Sequence, residues 1–437
     1  MKDIWNYLEK STHDISINYA SESKESPNTK LKKQKDKRIN CKEMELIICR
    51  KGIKIKLKTL YNLDLYKKIT RYFNIKVPQM SGYIKDVPNH TILKGAGYIL
   101  LPRFGMLEYA RKNLKNYKIT NLIKSGNKPS LPFKWTGSFN NNQPIIAKHI
   151  MENYFNEETV NSGNSGLILN LEAGQGKTFL STGLIEKIQR KTLVICHTES
   201  ILNQWVKVLK DAYPNNTIGR YYGKVKEEGD ICVSIINSLL MDKFHNSTGV
   251  ISESEFFQQF GYIIFDEIHL YSSKNRKQIY NKCQRKYMLG LSATPDENKD
   301  GLDNVNTWNC GSILAADKLD GYSVEDIKFE GEVSIIKFHG NPEYTKILMN
   351  EKMGVVNHSG MVNQICEDPY RLHMVVKMVF ELRNCNKNIF VFADRRDYLR
   401  QIKDHMNIFG LTSYELFKES DKLQVMNLMG GSTSDEM

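Results

Sequence analysis

The sequence predicts an α/β protein. A doubly wound parallel sheet stands at its centre, a small mixed α+β module precedes it, and a second, shorter α/β segment follows. Three observations carry this prediction. Between about residues 143 and 312, short apolar runs alternate with helical patterns: GLILNL then KTFLSTGLIEKI, TLVIC then ILNQWVKVLKDAY, and later ICVSII, YIIF and YMLGLSAT. Continuous apolar runs of this kind suit central strands buried on both faces, and alternation with helices makes the sheet parallel. The polar stretch NKPSLPFKWTGSFNNN, with two prolines, marks a boundary in front of this region.

Taken in order, residues 1–40 read as a disordered basic arm. Its end, KLKKQKDKR at 30–38, holds six basic residues and one acidic residue, Asp36. Phosphate binding, a nuclear address and a plain solvated linker all remain open for it. Residues 41–135 form the mixed accessory module. MELIIC and GIKIKLKTL predict strands, the second alternating apolar residues with lysine, and LDLYKKITRYF predicts a helix with a basic face. LPRFG at 101–105 is distinctive, but its composition assigns it no chemistry. Residues 136–312 are the central domain. In the last segment, 313–437, Asp368-Pro369 is a helix start with a capping carboxylate and a proline at the first helical position. NIFVFAD then reads as a buried strand and RRDYLRQIKDHM as a helix.

The bulk composition narrows the class. The chain has 437 residues, 41% of them hydrophobic and 25% charged, which suits a globular protein of two or three domains. No apolar run is long enough to span a membrane, and MKDIWNYLEK is not a secretory signal. The eight cysteines include no C-x-x-C pair, and Cys196 and Cys232 lie in strand-like runs. Buried thiols in a reducing, intracellular compartment fit that usage better than disulfides or zinc. The net charge of +13 calls for a polyanionic partner, most simply nucleic acid.

The chemistry concentrates in three strings. In LEAGQGKT, after the apolar run Leu167–Leu169, Gly174 and Gly176 let backbone N–H groups approach phosphate oxygens without a Cβ in the way. With Gln175 they form a cradle. Lys177 would reach the β- and γ-phosphates, the Thr178 hydroxyl would hold Mg²⁺, and the helix that begins there points its positive end at the anion. The first position of the motif is Leu171 instead of glycine, a turn-shaping residue. In YIIFDEIHL, an apolar strand delivers Asp266 and Glu267 to the carboxyl edge of the sheet. Asp266 can hold Mg²⁺ and Glu267 can orient and deprotonate a water, although such a pair alone is often a solvated edge. His269 follows two residues later and lacks the partners of a metal ligand. In LGLSATP, Ser292 and Thr294, flanking Ala293, could hydrogen-bond that histidine; ordinary turn chemistry explains the string equally well.

In that order and spacing, LEAGQGKT, DEIH and LSATP resemble the first three motifs of superfamily 2 helicases of the DExH type. The resemblance covers roughly residues 140–437. It implies RecA-like domains: a first, ATP-binding one at 136–312 and a partial second one at 313–437. It places Gln143 of NQPIIAKHI near the adenine, makes Lys177, Asp266, Glu267 and His269 catalytic, and gives Ser292, Ala293 and Thr294 a coupling role. It also implies that LVICHTESILNQW, residues 193–205, and ICVSIINSLL touch nucleic acid, with DNA expected ahead of RNA. The basic N-terminal module, RKYMLGLSATPDENKDGLD and EYTKILMNEKM are similar to the transcript-release helicases of large cytoplasmic DNA viruses. That resemblance implies work with the transcription machinery, in host cytoplasm or virion. In the family, two further motifs follow text like GGST, and one bears an arginine finger that contributes about 10³–10⁵ in rate. The chain ends at LMGGSTSDEM. The expectation is therefore a fragment, a split or decayed gene, or completion by a second chain. Two functions follow: an ATP-driven helicase or translocase, or a module that binds ATP and nucleic acid with little turnover. An unrelated phosphate-loop ATPase is the third.

Overall fold

The apolar runs of the central region become strands with almost no exposed surface, because each lies between two neighbours and under helices on both sides. In the computed structural model, the described residues are 38–78, 84–296, 301–323, 335–350, 354–383 and 389–413. The basic arm up to residue 37 and the GGST text near the end lie outside them. Contacts gather the described residues into two units, one drawn from 38–77 and 86–322 and the other containing the residues from 323 onward.

The first unit opens with β1 (Glu45–Cys49) and β2 (Gly52–Lys56), an antiparallel pair. The alternation of GIKIK ends at Lys56. Leu57 and Leu60 then follow at helical spacing, and Leu57–Asn62 is helix α1 where the sequence predicted more strand. Helix α2 (Tyr66–Tyr72), β3 (Thr91–Leu93), β4 (Tyr98–Leu101), α3 (Arg103–Asn113) and β5 (Lys118–Asn121) complete the module. Its sheet runs in the order β3-β4-β2-β1-β5.

The central sheet is built from β6 (Gly166–Asn170), β7 (Thr192–Cys196), β8 (Ile218–Tyr222), β9 (Val225–Lys226), β10 (Ile231–Ile235), β11 (Tyr262–Phe265), β12 (Tyr287–Ser292) and β13 (Ser312–Ala315). Their order is β9-β8-β10-β7-β11-β12-β6-β13, and only the short edge strand β9 is antiparallel to its neighbour. This is the doubly wound RecA-like arrangement. Helices α4 (Gln143–Asn153), α5 (Glu157–Ser162), α6 (Lys177–Ile188), α7 (Glu199–Ala212) and α8 (Asp303–Cys310) connect or cover the strands. In α7, Leu202, Trp205, Val206 and Leu209 fall three and four residues apart and are all buried. Each contributes about 1.5–3 kcal/mol by leaving water. Thr198 caps this helix by accepting a hydrogen bond from the Ile201 N–H at 3.3 Å.

LPRFG proves to be a structural joint. Arg103 is wholly buried. Its Nε donates to the Gly163 carbonyl at 2.6 Å and its Nη1 to the Arg285 carbonyl. Those carbonyls precede β6 and β12, so the guanidinium grips the amino-terminal edge of the central sheet. Helix α3 also packs against α8, where the rings of Phe73 and Trp308 meet edge to face at 5.1 Å. One hydrophobic cluster runs through module and sheet alike.

The second unit holds α9 (His358–Cys366), α10 (Pro369–Arg383) and α11 (Arg396–Ser413). Asp368 accepts from the N–H groups of Tyr370 and Arg371 at 2.9 and 3.3 Å, so the Asp-Pro helix start forms. Leu372, Val376, Tyr398, Ile402 and Met406 make a small core. NIFVFAD is not a buried strand here: residues 389–393 are irregular, with Phe390 75% and Phe392 89% exposed. A strand needs a neighbour to take its N–H and C=O groups, and no described segment pairs with this one.

Candidate active site

The carboxyl ends of β11, β12 and β6 are adjacent in the sheet, and each carries one of the three strings. Register places Asn170 opposite Ser292 and Phe265 opposite Gly290. The loop after β6 turns through Gly174 and Gly176, both left-handed at φ +81 and +76. No side chain caps the start of α6, so its first N–H groups are available to an anion. A Cβ at Gly174 would meet nothing within 4 Å, leaving the mouth of the cradle open.

Lys177 is folded across this loop. Its Nζ donates to the Leu171 carbonyl at 2.9 Å and the Glu172 carbonyl at 3.3 Å. Burial lowers its pKa from the usual lysine value, against the pull of the Glu267 and Asp266 charges. Thr178, next in the helix, is half-buried. Gln143 lies behind the loop. Its Oε1 accepts from the Asn140 N–H at 3.1 Å, and its Nε2 donates to the Gln175 carbonyl at 3.4 Å.

Asp266 is buried at 8% exposure, and burial raises its pKa, with the neighbouring Glu267 charge adding to the rise and a hydrogen bond from Trp205 opposing it. Glu267 adopts φ +49, a left-handed conformation that is rare for a residue with a side chain. It turns the chain from β11 into the DEIH segment. His269 Nδ1 lies 3.0 Å from Ser292 Oγ and 3.4 Å from Glu267 Oε2. Ser292 Oγ also accepts from the Thr294 N–H at 3.1 Å, and the Leu171 N–H donates to the Ser292 carbonyl at 3.2 Å. The three strings are therefore joined by hydrogen bonds as well as by adjacency. Ala293, half-buried, sits between the bonded Ser292 and Thr294.

Two contacts escape a sequence reading. The Trp205 indole N–H donates to Asp266 Oδ2 at 2.9 Å, inside the core. Tyr322 Oη donates to Gln175 Oε1 at 2.5 Å. Spacing signals neither, because the partners are 61 and 147 residues apart.

Residues 137–297 match the family model described as type III restriction enzyme, res subunit. An African swine fever virus protein named "Putative ATP-dependent RNA helicase QP509L" is 30% identical over 216 residues, 48% of this chain and 39% of that protein. Acanthamoeba polyphaga mimivirus "Putative ATP-dependent RNA helicase L396" is 25% identical over 372 residues, 78% of this chain and 65% of that protein. The chain thus spans less than two thirds of the length of either relative. The UvsW helicase of bacteriophage T4 aligns at 16% identity with a TM-score of 0.39, covering 62% of this chain and 99% of that one. The RecA-like arrangement of the central domain is given by its own strand order. No described helix is long and apolar enough to cross a membrane.

Proposed function

We propose that this chain hydrolyses ATP with Mg²⁺ to drive movement along nucleic acid, DNA ahead of RNA, in the transcription of a large DNA virus. The observation that carries the reading is the convergence of the cradle, Asp266-Glu267 and Ser292-Thr294 on three adjacent strand ends. The printed names of the viral relatives and the net charge of +13 support it.

The residues present fit the nucleotide. The open cradle, the uncapped start of α6 and the lysine resting on carbonyl oxygens provide donors for phosphate. The described residues hold no group of three or more His, Cys, Asp or Glu able to bind a metal. A divalent ion would be held by Thr178 and Asp266 and completed by phosphate oxygens and water. Bound there, it would neutralise charge that develops on the phosphates. Lys177 would exchange its carbonyl contacts for phosphate oxygens. Glu267 would orient and deprotonate the attacking water. His269, bonded to Ser292 and near Glu267, would report occupancy of the site to the SAT segment. Gln143 would read the adenine, and the exposed Thr198, Glu199, Ser200, Asn203 and Gln204 at the start of α7 would meet the nucleic-acid backbone.

The test is steady-state hydrolysis with and without DNA or RNA, beside equilibrium binding of a fluorescent ATP analogue. Lys177→Ala should abolish analogue binding, and Glu267→Gln should retain it while turnover falls by about 10²–10⁴. Unchanged analogue affinity in Lys177→Ala would defeat the phosphate-loop reading.

A further inference from the structure

Asp266 is held twice by one stretch of chain. Its N–H donates to the Ile195 carbonyl of β7 at 2.9 Å, and the Tyr271 hydroxyl donates to the same carbonyl at 2.8 Å. Its Oδ2 accepts from Trp205 of α7, the helix that follows β7. The main chain and the carboxylate of Asp266 are thus both fixed by the β7–α7 connection. An indole has one donor and no acceptor, so the bond has one possible direction. Trp205 is 1% exposed, and the low dielectric around it strengthens a bond to a carboxylate. A phenylalanine could fill the same core. What the indole adds is a fixed carboxylate plane.

We propose that Trp205 is a positioning residue for Asp266: its N–H pins one oxygen so that the carboxylate meets a nucleotide-bound divalent cation in a constant orientation. This rests on the reading of Asp266 as a carboxylate that serves such a cation. The same helix begins with the exposed Thr198, Glu199 and Ser200 and carries exposed Asn203 and Gln204 on its outer face. A polyanion seated on that turn would bear on the carboxylate through one rigid helix, so occupancy of the two sites is coupled through Trp205.

The experiment titrates Mg²⁺ against binding of a fluorescent ATP analogue to the full chain. It compares wild type, Trp205→Phe and Trp205→benzothienylalanine, in which sulfur replaces the N–H and the ring keeps its volume. The Mg²⁺ concentration at half-saturation should rise on the order of tenfold in both variants. Analogue binding without metal, which depends on Lys177, should not change. An added oligonucleotide should shift the wild-type midpoint and leave both variants unmoved. If Trp205→Phe does not fold, the isosteric variant decides. Wild-type Mg²⁺ dependence in the folded variants overturns the positioning role, and a full oligonucleotide shift in them overturns the coupling. A wild-type chain that binds the analogue independently of Mg²⁺ removes the reading of Asp266 on which both depend.

Discussion

Replacing Gly176 with alanine should damage the cradle in two separable ways. The first is backbone strain. At φ +76 an alanine is left-handed, which costs about 1–2 kcal/mol. The second is a collision: the new Cβ would lie 2.5 Å from Gln143 Nε2. The amide must swing away and give up its bond to the Gln175 carbonyl, a loss of about 1 kcal/mol. The total is about 2–3 kcal/mol, which lowers the melting midpoint of a unit this size by roughly 5–10 °C. Gly174→Ala is the internal control. It carries the same strain at φ +81 but meets nothing within 4 Å, so about 1–2 kcal/mol is expected. The assay is thermal unfolding of the nucleotide-free chain, read for both variants alone and in a Gln143→Ala background. Removing the amide should bring the Gly176→Ala penalty down to that of Gly174→Ala. Equal penalties in the wild-type background, or no relief from Gln143→Ala, would refute the argument.

Three further outcomes are expected. Arg103→Met should leave the Gly163 and Arg285 carbonyls without their buried donor and destabilise the first unit by about 2–4 kcal/mol, read as a lower denaturation midpoint; an unchanged midpoint would mean that the joint holds without it. Burial alone would raise the pKa of Asp230, but the hydroxyl and N–H of Ser130, with Asn216 and Lys191, hold the carboxyl below its usual value. Its stabilisation is therefore full above the unfolded value of about 3.9 and lost as pH falls through the lower folded value, so Asp230→Asn should flatten the acid limb of a stability–pH curve. Reversing the exposed Lys67, Lys68 and Arg71 of α2 to glutamate should reduce the salt dependence of nucleic-acid binding by about 0.9 in log–log slope for each phosphate no longer neutralised, and an identical slope would exclude that helix from the interface.

The central sheet was legible in the sequence because its information is local. GLILN, TLVIC and YIIF carry their burial in their own composition, and the strings after them fall at strand ends because strands end where apolar runs do. The site's geometry is legible to the same extent, since adjacent strand ends bring Lys177, Asp266 and Ser292 together. The failures are of another kind. LKTL after GIKIK fits a strand or a helix equally well until Leu60 finds its core. NIFVFAD has the composition of a buried strand, yet composition supplies only one side of a sheet's hydrogen bonds. The composition of LPRFG assigns it no chemistry because nothing near Arg103 announces that the two carbonyls it serves arrive from 60 and 182 residues away. Trp205 closes the segment 193–205 that the resemblance expects to touch nucleic acid, yet it is 1% exposed, and its donor bond is invisible until β11 is laid beside β7.

The joint at Arg103 has a consequence for how this protein can be handled and how it can vary. The match to the res-subunit family begins at residue 137, which invites trimming the protein to that span. Such a trimmed chain would lose the guanidinium that ties down the lower rim of β6 and β12, and would strip the cover from Trp308, which packs against Phe73. The exposed wall would be apolar and ready to stick to other copies. Insertions should be tolerated far better in the exposed turn at Ser247–Gly249, where no such keystone is disturbed. The amino-terminal module is, in this sense, a foundation of the central sheet instead of an attachment to it.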